Sequence, residues 1–142
     1  MRHDEDTLQT NCMKWLELQY PAIYPWMHHS PNGGRRNARE GARFKAMGVK
    51  AGFPDLFCPI SSGGHKGLFI EMKTATGRLT PLQKAWRLAV LSFGFIHHVC
   101  RSFTQFQDII NEYYRGIDPR TLKDIKQNEE IIYYLLRQFR GT

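Results

Sequence analysis

In Gly52-Phe53-Pro54-Asp55-Leu56-Phe57-Cys58-Pro59-Ile60, and again in Leu68-Phe69-Ile70-Glu71-Met72-Lys73, a short apolar run carries isolated charges. The connection between them, Ser61-Ser62-Gly63-Gly64-His65-Lys66-Gly67, is small, polar and flexible. Two strands joined by such a segment read as a hairpin. Side chains two apart on a strand share a face, so Phe69, Glu71 and Lys73 point one way while Leu68, Ile70 and Met72 point toward the core. With the turn centred near Gly63-Gly64, Asp55 and Glu71 fall at the same end of the paired strands. Two carboxylates so placed suit one hard divalent cation such as magnesium. A lysine beside them can position water and offset charge growing on a phosphate. Taken alone, Glu71 and Lys73 read equally well as a solvated strand face with an adjacent charge pair. Gly52 and Gly67 permit close backbone approach, or serve only as turn residues.

Downstream, Thr80 caps a helix whose first residue is Pro81, where the missing N–H is harmless. Leu82, Ala85, Trp86, Ala89 and Val90 carry its period to Phe93-Gly94. Phe95–Cys100 reads as a third strand, and Ser102 caps a helix over Phe103–Tyr114. Asp118–Phe139 reads as one more helix, with Leu122, Ile125, Ile132, Leu135, Leu136 and Phe139 as its stripe. Its Ile131-Ile132-Tyr133-Tyr134-Leu135-Leu136 run exceeds what one face needs and points to a partner contact.

Upstream, Asp6–Leu18 has helical spacing, with Asp4 or Asp6 as cap and Pro21 as stop. Ala22–His29, broken by Pro25, reads as an edge or distorted strand. Ser30-Pro31-Asn32-Gly33-Gly34 is a turn, followed by a helix from Arg35 to Gly48. The order helix, strand, helix, hairpin, helix, strand, helix, helix predicts an α/β fold: a mixed central sheet flanked by helices. Residues 1–115 form the core domain, and 118–140 an additional C-terminal helix.

The chain has 142 residues, enough for one domain, with a net charge of +7 and a pI near 9.5. That excess favours a polyanionic partner over an inert basic surface. Arg35, Arg36, Arg39, Arg43, Lys45 and Lys50 fall within sixteen residues. Lys66, Arg78 and Lys84 suggest a second basic area near the carboxylates. Such cations contact phosphates without reading bases; the plain alternative is a solvated helix face. No segment has the length of a membrane span or the pattern of a secretory leader. Three scattered cysteines, Cys12, Cys58 and Cys100, indicate reduced thiols and a cytoplasmic location. His28-His29 and His97-His98-Cys100 lack the paired spacing of structural zinc.

Gly52-Phe53-Pro54-Asp55-Leu56, Glu71-Met72-Lys73 and Gly77-Arg78-Leu79-Thr80-Pro81-Leu82-Gln83-Lys84-Ala85-Trp86 together resemble the virus-type replication-repair nuclease (VRR-NUC) domain. That family belongs to the restriction-endonuclease-like PD-(D/E)XK superfamily. The likeness runs from about Glu5 to Tyr114, and Pro31 to Gly52 is similar to small stand-alone phage members. The resemblance implies a Mg²⁺- or Mn²⁺-dependent DNA endonuclease without an organic cofactor. It places the metal on Asp55 and Glu71, the family lysine on Lys73, and a recurrent glutamine on Gln83. Glu5 and Gln9 match the start of the family's first helix; Glu5 would support the metal, with Asp4 and Asp6 as alternatives, and Gln9 would face the nucleic acid. Likeness to the phage members implies a homodimer in the host cytoplasm, off the membrane, that resolves four-way (Holliday) junctions. Flap cleavage, general nicking of duplex DNA, and nucleic-acid binding without cleavage are the alternatives.

Overall fold

The computed structural model describes residues 2–31 and 38–138. Four strands, β1 (His28–His29), β2 (Leu56–Cys58), β3 (Leu68–Met72) and β4 (Ile96–Cys100), form one sheet in that spatial order. The six helices among the described residues are α1 (Arg2–Gln19), α2 (Ala38–Ala46), α3 (Pro81–Ser92), α4 (Phe103–Arg115), α5 (Pro119–Gln127) and α6 (Glu129–Gln138). The mixed α/β architecture follows the sequence expectation.

The hairpin forms as its pattern requires. β2 and β3 are antiparallel, with Leu56 opposite Ile70 and Cys58 opposite Leu68. Gly63 and Gly64 both take positive φ (56° and 84°) at the tip, where Ser62 and His65 bridge the chain. Two successive left-handed residues match the twist of a tight hairpin and are cheap only for glycine. α3 then carries the chain over one face of the sheet, and β4 returns parallel to β3, with Met72 opposite Cys100.

Every residue of β3 is buried, so both faces of this central strand are covered. Leu68, Ile70 and Met72 join Cys12, Leu16, Phe106 and Ile110 in the main core. On the opposite face, Phe69 stacks on Phe57 at 4.4 Å and meets Phe53 and Phe95 edge-on. This second layer overturns the picture of Glu71 and Lys73 on a solvated strand face: Glu71 is 3% exposed and Lys73 9%.

Other boundaries move for identifiable reasons. α1 starts at Arg2, so Asp4 and Asp6 both lie within the helix instead of capping it, and Asp4 and Glu5 fall in its first turn; acidic groups are favourable against the helix dipole there. Pro21 and Pro25 reduce the expected edge strand to a 3₁₀ turn over Tyr24–Trp26 and the two-residue β1, which does lie at the sheet edge. Of the expected Arg35–Gly48 helix, Ala38–Ala46 is helical, and Arg35 and Arg36 lie outside the described residues. The single C-terminal helix is two: Asp118 caps α5, and Asn128 ends it, its N–H and side-chain amide both donating to the Asp124 carbonyl. Tyr133 ties α6 back to the Pro21 carbonyl.

Candidate active site

Asp55 lies one residue before β2, and its Oδ2 accepts the backbone N–H of Met72 at 2.7 Å. The antiparallel register continues by one step past Leu56–Ile70, which sets Asp55 across from Glu71. The sequence reading placed the two carboxylates together, and the hairpin delivers them.

Glu71 is held by a residue from another element. Its Oε1 accepts Gln83 Nε2 at 2.9 Å. Gln83 is the third residue of α3 and closes a capping box: Thr80 Oγ1 accepts the Gln83 N–H, and Gln83 Oε1 accepts the Thr80 N–H at 2.9 Å. With its oxygen committed to Thr80, the amide must present its nitrogen to Glu71. Gln83 thus orients the Glu71 carboxylate. Glu71 also lies beside the N-terminal end of α3, whose dipole favours negative charge.

The other Glu71 oxygen, Oε2, is buried and meets no donor. Burial, then the neighbouring Asp55 charge, push the Glu71 carboxyl up to about 8, with a smaller push from Glu5 and opposition from Lys73. Asp55 is raised too: burial outweighs the Met72 N–H, a side-chain hydrogen bond with Glu71, and the weaker influence of His29 and Lys73. Two partly desolvated carboxyls facing one another, one oxygen orphaned, are costly unless they share a proton or a cation. Hard oxygen donors of this kind fit Mg²⁺ or Mn²⁺.

Lys73 follows Met72 and continues the pairing with β4, its N–H donating to the Cys100 carbonyl. Its charge acts on both carboxyls. Glu5 is half-buried on α1 and near enough to be felt by Glu71. Among the described residues, however, no three His, Cys, Asp or Glu side chains form a metal-holding group. The pair Asp55–Glu71 supplies hard oxygen donors from two side chains, and water or other oxygens fill the rest of a Mg²⁺ shell. Gln9 is half-buried one turn further along α1.

Arg78 and Lys84 are exposed on either side of the Thr80 cap, close to Gln83 in the chain. Arg39, Arg43 and Lys45 are exposed on α2 and Lys50 just after it. Lys66 belongs elsewhere. It precedes β3 at the far end from Lys73 and packs along Gly94, so it is not part of a basic area beside the carboxylates.

Two residues, Arg101 and His29, escaped the sequence reading, and a third, Gly52, was read there as a place of close backbone approach or a turn. Arg101 donates from Nη1 to the carbonyls of Thr74 and Gly77, at 2.8 and 2.5 Å, and clamps the turn that leaves Lys73. His29 is within 3.1 Å of the Asp55 carbonyl. Gly52 has φ +82°, and a Cβ there would come within 2.7 Å of Leu82, the residue before Gln83. Only Gly52 had a local signal. Arg101 and His29 need the β3–β4 and β1–β2 pairings, which no spacing in the chain announces.

A family model for the VRR-NUC domain matches residues 3–104. Among solved structures, a VRR_NUC domain protein superposes with a TM-score of 0.71 at 34% identity, over 80% of this chain and 90% of that one. None of the curated proteins gives a significant match.

Proposed function

Because the chain belongs to the VRR-NUC domain family, nucleases of PD-(D/E)XK type, we propose that it is a divalent-metal-dependent endodeoxyribonuclease acting on branched DNA. The observation that carries this reading is the Asp55–Glu71 pair, with Glu71 Oε2 buried and without a donor and the Lys73 charge acting on both carboxyls. Asp55 and Glu71 would hold Mg²⁺ or Mn²⁺, which when bound supplies a Lewis acid for the phosphoryl oxygen and a lowered pKa for water. Gln83 and the Met72 N–H keep the two carboxylates in place, so little reorganisation is needed at the moment of reaction. Lys73, almost removed from solvent, offsets negative charge on the pentavalent phosphorus and orients the attacking water. As a proton acceptor it would have to lose its charge first. Charge stabilisation asks less of it.

Residues 1–115 would carry the chemistry. Glu5 would act on the metal through its charge, and Gln9, Arg39, Arg43, Lys45, Lys50, Arg78 and Lys84 on the DNA backbone. The C-terminal segment 118–140 would serve a homodimer: Ile131, Tyr134, Leu135 and Leu136 are 44–59% exposed on α6. Two sites related by a two-fold axis suit a four-way junction, the leading substrate. The three cysteines are buried and unpaired, which suits a reducing cytoplasm. No helix among the described residues is long and apolar enough to cross a membrane.

The test is cleavage of end-labelled four-way junction, 5′ flap, 3′ flap and linear duplex in Mg²⁺, Mn²⁺ or EDTA, with Asp55→Ala as contamination control. Paired nicks confined to the junction support resolution. Flap cutting keeps the chemistry and replaces the substrate. Tight, salt-sensitive binding without product in either metal would overturn the enzyme reading. Light scattering after size exclusion decides the dimer, a monomer at assay concentration being the contrary result.

A further inference from the structure

Between α2 and α3 lies a cavity of about 560 Å³ whose apolar walls have no part in the chemistry proposed above. Its apolar lining includes Phe44, Val49, Leu82 and Trp86, and two lysines, Lys45 and Lys50, stand in the same wall. No carboxylate lines it among the described residues. Arg43 lies over the Phe44 ring at 5.2 Å, which holds a further cation at this site. Aromatic and aliphatic walls set among cations are what a nucleobase and its flanking phosphates require together: the ring stacks, and the backbone charge is met outside.

The cavity is built onto the carboxylate site. Trp86 Nε1 donates to the Ala51 carbonyl at 3.1 Å, fixing the wall to the strand entry. Gly52 presses against Leu82, the residue before the Gln83 that holds Glu71. Ala51 is also four residues from Asp55. Even a fully extended chain covers no more than about 14 Å over that separation, which is about four nucleotide steps along one strand.

Resting on the nuclease reading above, we propose that this cavity is a base-binding pocket. It takes one unpaired base from the strand lying at Asp55 and Glu71, while Lys45 and Lys50 engage the adjoining phosphates. The substrate class this selects is DNA with an unpaired or easily unstacked base within a few nucleotides of the cut, as at a branch point, over uninterrupted duplex.

The experiment is fluorescence anisotropy in EDTA, where nothing is cut, with three labelled DNAs: a duplex with a three-nucleotide unpaired stretch, the same DNA with abasic sites in that stretch, and a fully paired duplex. Stacking of one base on aromatic walls is worth about 1–3 kcal/mol, so wild-type protein should prefer bases to abasic sites by about 5- to 150-fold. Phe44→Ala and Leu82→Ser should bring that ratio close to one and leave paired-duplex binding in place. Equal wild-type affinity for base and abasic DNA overturns the pocket, and needs no variant to be interpretable. A ratio that survives both substitutions overturns it too. So does a change of oligomeric state in either variant, which would mark the cavity as a protein contact. Parallel Mg²⁺ assays on the same DNAs separate the two readings: metal-dependent cleavage without base discrimination removes only the pocket, whereas no binding to any DNA removes both.

Discussion

Glu71→Gln should make the metal-free protein more stable while abolishing its chemistry. Glu71 is 3% exposed, and Oε2 has no donor. Burial, then the Asp55 charge, raise its carboxyl from 4.5 to about 8. At neutral pH the folded chain therefore takes up a proton that the unfolded chain does not carry. The wild-type contribution is fully present below about 4.5 and is lost as pH rises toward 8. Each pH step in that interval is worth about 1.4 kcal/mol, and allowing for the uneven sharing of charge with Asp55 and Lys73 leaves about 2–3 kcal/mol at pH 7. Glutamine keeps an oxygen for Gln83 Nε2 and converts the orphaned oxygen into a donor beside Asp55. At roughly 2–4 °C per kcal/mol for a chain near this size, the variant should melt about 5–10 °C above wild type at pH 7 in EDTA. Thermal melts followed by circular dichroism at pH 4, 6 and 8 check it. The gap should be near zero at pH 4 and widest at pH 8. A gap of constant size, or a variant that melts lower at pH 8, would refute the account of Glu71 as a buried, uncompensated carboxylate.

Other consequences follow from the same geometry. Metal binding should strengthen as pH rises toward 8, because the shared carboxyl proton must leave; calorimetry in buffers of different ionisation enthalpy should show proton release near neutrality, and its absence there contradicts the raised carboxyls. Gln83→Ala should weaken metal binding and lower kcat by about 10- to 100-fold, of the order of the loss seen on removing an outer partner of a metal ligand. Gln83→Glu, which sets a second negative charge against Glu71, should be worse, and equal activity in the two variants would deny Gln83 its positioning role. Gly52→Ala should cost about 2 kcal/mol or more, from the positive φ together with the Leu82 contact, read as a fall in melting temperature. Because α3 would shift with it, turnover should fall beyond what the lost stability explains.

The chain's own pattern was enough for the hairpin, for Asp55 and Glu71 at one end of it, and for the Thr80–Pro81 start of α3. These are local events: alternation, a Gly-Gly turn and a cap depend on residues within a few positions of one another. Glu71 and Lys73 were legible together because the strand period sets them on one face, whereas Gln83 was singled out only by the resemblance to the family. The break at Asn128 was less legible, since the apolar stripe runs on across it and the cap shows only in the fold.

What tertiary structure alone decided is burial and partnership. A strand period says which side chains share a face, but not that α3 and the layer of Phe53, Phe57, Phe69 and Phe95 cover the face carrying Glu71. That covering desolvates the carboxylate, raises its pKa and leaves one oxygen without a donor. Likewise, the parallel pairing of β3 with β4 brings Arg101 to the turn after Lys73, and the hairpin direction carries Lys66 away from the site. Residue type and spacing are properties of the chain. Dielectric environment and long-range contact arise only once separate elements pack, and in this protein they turn two ordinary acids into a desolvated pair whose carboxyls are both raised.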